Sequence, residues 1–225
     1  MDCNVTQPRK HIFVTVGTTS FDALTKSVSK SNFLDTISFH GYTNLIIQYG
    51  KGSVPLPPAK SNHKQQQKES FTGSEFSGTY IASNGSIVHW KVYSFKPSLE
   101  CDMKNADLII SHAGAGSIME GLEQCRIRNS IMDSQHINND GLLCKKMVVV
   151  INDKLMDNHQ MELAEALESR GYLLMITDFS SASRKDGCRN ILHKIQGFRP
   201  KNFDGGNQAT FGNLLSDFMG FRKIL

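Results

Sequence analysis

The chain has 225 residues, 39% of them apolar and 20% charged, enough for one globular domain that buries roughly 70% of its unfolded surface. Its net charge of +4 comes from scattered Lys and Arg, which gives little support to nucleic-acid binding. There is no apolar run long enough to span a membrane, residues 1–10 are too polar for a secretory signal, and five widely spaced cysteines (Cys3, Cys101, Cys125, Cys144, Cys188) suit reduced thiols of a cytoplasmic protein better than a metal site.

In chain order, the β-branched run 11–16 predicts a strand that ends in the turn Gly17-Thr18-Thr19-Ser20. Phe21, Leu24, Val28, Leu34 and Ile37 then recur at near-helical spacing across a serine-rich middle. A second strand covers 44–48. Residues 50–86 carry Pro55, Pro57, Pro58 and three consecutive glutamines, and read mostly as a long polar loop. A third strand at 87–93, a short helix at 97–105 and a buried strand at 107–111 lead to a turn around Gly114. A helix runs from Ser117 to about Gln124. Beyond it the pattern gives a strand at 147–151, a helix at 157–170 closed by Gly171, a strand at 172–177 and a helical segment at 183–196. A terminal helix at 207–221 would place Phe211, Leu214, Leu215 and Phe218 on one face. This alternation predicts a single α/β domain with a doubly wound parallel sheet. Such sheets bind ligands at the carboxyl ends of their strands, and Gly17 and Gly114 both follow strands, so their loops share that edge.

Three segments carry the candidate chemistry. The first, 107–120, reads Asp-Leu-Ile-Ile-Ser-His-Ala-Gly-Ala-Gly-Ser-Ile-Met-Glu. Gly114, Ala115 and Gly116 form a turn whose bare backbone admits a ligand, and Ser117 opens a helix. The free N–H groups and positive dipole end of such a helix suit a phosphate or pyrophosphate, with Glu120 one turn up and within reach of a ribose hydroxyl. An ordinary tight turn, its Glu favoured by the helix dipole by ~0.3–1 kcal/mol, accounts for the same pattern. The third glycine of the dinucleotide fingerprint is absent, and the acidic residue lies in the first helical turns, which argues against an NAD-type oxidoreductase.

The second segment, 153–160, follows a strand and opens a helix. Asp157 at the N-cap with Gln160 three residues on makes a variant capping box. Asn158, His159 and Gln160 also offer carboxamide and imidazole groups to sugar hydroxyls. The third segment, Gly17-Thr18-Thr19, is either a turn in which Thr19 or Ser20 caps the next helix or a second polar loop facing the same ligand. His112 is either a hydrogen-bonding residue at a strand end or a general base. The sequence holds no Ser-His-Asp order, metal-ligand cluster or Walker lysine.

Taken together, 11–19, 110–117 and 149–160 resemble the GT-B glycosyltransferase family. They are similar to the catalytic subunits of the eukaryotic UDP-N-acetylglucosamine transferase that extends dolichol-pyrophosphate-N-acetylglucosamine, and to the C-terminal half of the bacterial peptidoglycan transferase MurG. The resemblance implies a Rossmann-like domain holding the nucleotide sugar. Gly17, Thr18, Thr19, His112 and the turn Gly114 to Ser117 would line the donor site. Glu120 would bind the ribose, and His159 and Gln160 would face the N-acetylglucosamine. The implied reaction inverts the anomeric carbon, forms a β-1,4 bond and needs no metal or other cofactor. A membrane-anchored partner subunit would supply the acceptor half and the general base, recruiting the chain to the cytosolic face of the endoplasmic reticulum. A non-catalytic UDP-sugar-binding or regulatory module is the alternative. Residues 126–144 depart from the family pattern as an insertion, either a surface loop or an alternatively processed segment, and 202–206 depart from the usual approach to the last helix.

Overall fold

The structure, a computed structural model, describes residues 9–58, 66–70, 73–134, 144–152 and 158–203. Strand β1 (Lys10–Thr15) is followed by helices α1 (Asp22–Val28) and α2 (Ser31–Phe39) and strand β2 (Tyr42–Gln48). Strands β3 (Gln66–Ser70), β4 (Gly73–Ile81) and β5 (Ile87–Tyr93) come next, then α3 (Glu100–Asn105), β6 (Leu108–His112) and α4 (Ala115–Ser134). The described chain ends with β7 (Lys146–Val150), α5 (Asn158–Ser169), β8 (Leu174–Ile176), a 3-10 turn (Ser180–Ser183) and α6 (Lys185–Gly197).

The eight strands form one sheet in the order β3-β4-β5-β2-β1-β6-β7-β8. The six strands from β5 to β8 in this order run parallel, and β4 and β3 add an antiparallel edge. The fold is therefore the expected Rossmann-like α/β domain. Both faces of the central strands are buried, which explains their unbroken apolar runs. Ile12, Val14, Ile110, Val148 and Val150 pack on the face covered by α1, α2 and α6. Phe13, Ile109, Met147 and Val149, the alternate residues, meet Met103, Ile118, Leu122, Leu163 and Leu167 of α3, α4 and α5 on the other.

Four expectations need correction. Residues 50–86 are not one long loop, because β3 and β4 occupy 66–70 and 73–81. The pairing of β4 with β5 is favoured by Gly78, where a Cβ would come within 2.5 Å of the Trp90 ring, and by a Lys91–Glu75 ion pair of 2.8 Å. The Tyr80 hydroxyl donates to Asp35 of α2 at 3.1 Å and ties this edge to the helices. The single helical stretch expected from Phe21 to Ile37 is two helices, with a break at Ser29 and Lys30. Ser27 and Ser29 donate their hydroxyls back to the carbonyls of Ala23 and Lys26, a competition that weakens helix there. The helix after Gly114 does not stop near Gln124: residues 126–134, expected within an insertion, continue α4. Polar pairs replace apolar periodicity along it, with Arg126 bound to Glu123 and Arg128 reaching Asp107 at 2.6 Å. Finally, neither Thr19 nor Ser20 caps α1, whose N-cap is Phe21 without a side-chain bond. The remainder of the expected insertion, 135–143, and the terminal helix at 207–221 lie outside the described residues.

Candidate functional site

Strands β1 and β6 are parallel neighbours at the middle of the sheet, with Thr15 paired to Ser111 at their carboxyl ends. From β1 the chain winds outward to β2 and β5; from β6 it winds the other way to β7 and β8. The order therefore reverses between β1 and β6, the point where open α/β sheets form a crevice. A cleft of about 400 Å³ opens there. Gly17 and Thr18 line it from the loop after β1, and Gly114, Ala115, Gly116, Ser117 and Glu120 line it from the turn after β6 and the start of α4. His112 and Gln48 form its floor, and Phe95, Lys96 and Leu99 stand on the side of β5 and α3.

Local sequence dictates this shape. Gly17 has φ +60°, a conformation that favours glycine, and a Cβ there would lie 2.8 Å from Cε1 of His112. A Cβ on Gly114 would lie 2.3 Å from the His112 Nε2. The imidazole is thus wedged between two glycines that leave room for nothing else. Its Nδ1 is buried without a hydrogen-bond partner. Burial pulls its pKa below the ordinary histidine value, so the ring is neutral near pH 7.

Gly116 differs from both. A Cβ built there meets nothing within 4 Å, so the fold itself has room for a side chain. Its exposed backbone belongs to the first turn of α4, where the first intrahelical bond runs from the Ile118 N–H to the Gly114 carbonyl at 3.0 Å. The N–H groups of Ala115, Gly116 and Ser117 precede that bond and join the positive end of a 20-residue helix. Gly121 lets this helix sit close on the sheet, since a Cβ would lie 2.7 Å from Sδ of Met147.

Gln48 holds the loops together and escaped the sequence reading. It is 1% exposed. Its Oε1 accepts from Thr15 Oγ1 at 2.6 Å and from the Val16 N–H at 3.2 Å. Its Nε2 donates to the carbonyls of Gly17 at 2.7 Å and Ser94 at 2.6 Å. One amide therefore links the ends of β1, β2 and β5. A polar residue ending the apolar strand 44–48 was the available signal, because buried polar groups must find partners. Lys96 was also missed; it pairs with Asp102 at 2.7 Å and lies 4.0 Å from the centroid of the Tyr93 ring.

Of the residues singled out from sequence, Gly17, Thr18, His112, Gly114, Ala115, Gly116, Ser117 and Glu120 converge on the cleft. Thr19 stands beside it and closes the turn, donating its N–H to the Val16 carbonyl at 3.3 Å and accepting from the Lys51 N–H at 3.0 Å. Asn158, His159 and Gln160 begin α5, which follows β7 on the same edge of the sheet. Asp157 lies outside the described residues.

A doubly wound sheet with a glycine turn, a helix N-terminus and an acidic side chain at its switch point defines an α/β domain of the Rossmann-like class. Residues 11–124 match the glycosyltransferase family 28 C-terminal domain, and the chain belongs to that family. It is 40% identical over 168 residues to the UDP-N-acetylglucosamine transferase subunit ALG13 of Homo sapiens, covering 75% of this chain but 11% of that protein. It is 28% identical over 217 residues to the subunit of the same name from Saccharomyces cerevisiae, covering 92% of this chain and 94% of the other. The chain thus spans about a tenth of its human relative and nearly all of its yeast one. An NMR solution structure of ALG13 shares the fold with a TM-score of 0.54 at 24% identity, over 92% of this chain and 95% of that one. Acinetobacter baumannii MurG shares it with a TM-score of 0.50 at 14% identity, over 85% of this chain and 42% of that one. The fold is that of a GT-B C-terminal domain. Among the described residues no helix is long and apolar enough to cross a membrane.

Proposed function

We propose that this chain is the donor-binding subunit of an N-acetylglucosaminyltransferase that acts on dolichol-pyrophosphate-N-acetylglucosamine. The observation that carries this reading is the meeting of the α4 N-terminus with the Gly17 loop at the switch point, a cradle suited to a nucleoside diphosphate. The names of the human and yeast relatives support UDP-N-acetylglucosamine as the donor. In this reading the diphosphate rests on the N–H groups of Ala115 to Ser117, Glu120 accepts from the ribose hydroxyls, and the start of α5 (Asn158, His159, Gln160) faces the sugar. A hydroxyl oxygen of the acceptor sugar attacks the anomeric carbon from the side opposite the phosphate. The new carbon–oxygen bond forms as the bond to the β-phosphate oxygen breaks, and that electron pair leaves with UDP. The result is inversion and a β-1,4 linkage. Preorganised N–H groups and the helix dipole meet the charge that develops on the leaving group.

The proton of the attacking hydroxyl goes to a base on a partner subunit, which also brings the acceptor and the membrane anchor at the cytosolic face of the endoplasmic reticulum. His112 is assigned a positioning role: its ring is packed between Gly17 and Gly114, and its buried Nδ1 faces no solvent. The deciding experiment reconstitutes the chain with its partner subunit and follows transfer of labelled N-acetylglucosamine to a short-chain lipid acceptor. Product from the pair, and none from either alone or with Glu120→Ala at limiting donor, is expected. Donor binding without any transfer by the pair would point instead to a non-catalytic module.

A further inference from the structure

Lys96 is the one ammonium or guanidinium group among the described residues lining the cleft. It is held there by two neighbours. Its Nζ pairs with Oδ2 of Asp102 at 2.7 Å and lies 4.0 Å from the centroid of the Tyr93 ring. The same Oδ2 accepts from the Tyr93 hydroxyl at 2.6 Å, so the carboxylate is itself fixed by the end of β5. Tyr93 is buried and Asp102 has a side-chain exposure of 13% against 27% for Lys96. The order of burial runs from anchor to clamp to lysine. An ammonium carries three donors; Asp102 takes one and the ring covers one flank, which leaves donor capacity on the side of the cleft.

Charge arithmetic gives this lysine a task. The diphosphate of a nucleotide sugar carries about two negative charges, whereas a helix N-terminus offers about half a positive charge. The helix alone leaves most of the charge unmet, and Glu120 adds another negative group to the same walls. We propose that Lys96 is a phosphate ligand of this cleft, donating to the diphosphate while Asp102 and Tyr93 act as positioning residues that aim it. The inference rests on the proposed donor site and deepens it by assigning the cation that balances the leaving group.

The test titrates the full chain with uridine, UMP and UDP, for the wild type, Lys96→Ala, Lys96→Arg and Asp102→Asn, with thermal melting of each variant as a folding check. Lys96→Ala is expected to weaken UDP about tenfold, the scale of one partly exposed charge-assisted bond, and to leave uridine affinity unchanged. Lys96→Arg should restore UDP binding to within a few fold. Asp102→Asn should weaken UDP by a few fold at unchanged uridine affinity, because the lysine loses its aim and keeps its charge. The wild-type affinity for UDP should fall more steeply with added salt than that of Lys96→Ala. Wild-type UDP binding that Lys96→Ala leaves intact, or equal losses for UDP and uridine, would overturn the role of Lys96 alone. Absence of UDP binding by a folded wild type would overturn the donor site and this inference together.

Discussion

Replacing Gln48 by leucine should strongly destabilise the domain, although this side chain lies outside the hydrophobic core. The substitution keeps the volume and removes four hydrogen bonds from a side chain that is 1% exposed. At about 1 kcal/mol each the bonds sum to roughly 4 kcal/mol. The Val16 N–H keeps a second acceptor, the backbone carbonyl of Gln48 at 3.3 Å, which trims the loss to about 3 kcal/mol. That is a large fraction of the ~5–15 kcal/mol that stabilises a typical domain. Gln48→Glu should be worse at neutral pH, because a carboxylate would face the carbonyl oxygens of Gly17 and Ser94, which now accept from Nε2. Its buried carboxyl would titrate well above the usual range. The deficit should therefore shrink as pH falls, when the protonated acid can again donate. Urea unfolding followed by circular dichroism measures both effects, and a UDP titration reads the loosened Gly17 loop. A Gln48→Leu loss below about 1 kcal/mol with donor affinity intact would refute the view that this amide holds the site together.

The glycines of the turn after β6 should separate by role. Gly116→Ala should melt like the wild type and bind UDP at least tenfold more weakly, since its added carbon meets only what occupies the cleft. Gly114→Ala should lose both stability and binding, because the wedged His112 ring must move; calorimetry and nucleotide titration distinguish the two outcomes. Glu120→Ala should weaken UDP but spare inorganic pyrophosphate, as expected of a ribose ligand, and equal losses for both would contradict that role. A fourth prediction concerns pH. Burial lowers the pKa of Lys146 to about 8 while its Nζ donates to the carbonyls of Ile195 and Gln196 at the end of α6. The unfolded chain therefore holds more protons than the folded one between about pH 8 and the ordinary lysine value, and this group's contribution rises with pH across that window. The stability of the wild type relative to Lys146→Met should grow by about 2 kcal/mol from pH 7 to pH 10, read from urea midpoints; a flat or falling difference would contradict it.

The parts of this molecule that obey simple periodicities were visible before any coordinates. The runs that became β1, β6 and β7 carry unbroken apolar stretches because both of their faces are covered, and glycine turns follow β1 and β6. Gly171 stops α5 with φ +79°, as its place after Arg170 suggests. The antiparallel edge was invisible because its composition is governed by pairing: Gly78 looks like a breaker until Trp90 is seen lying across it. The second half of α4 was missed for a related reason, since it is held by Glu123, Arg126, Arg128 and Asp107 and not by an apolar stripe. At the site, the glycines and Glu120 could be read locally. Gln48 and Lys96 could not, because each acts through partners far away in sequence or through a neighbouring element. The wedge of His112 between Gly17 and Gly114 needed the two loops to be brought together by the sheet.

The central claim, that the amides after β6 cradle the leaving group of an activated sugar, is tested most directly by amide chemical-shift mapping of the full chain with UDP. The largest shifts should fall on Ala115, Gly116 and Ser117, followed by Gly17 and Thr18, and should disappear with Gly116→Ala at the same nucleotide concentration. Saturable UDP binding whose shifts cluster on another surface, such as the outer face of α6, would contradict it.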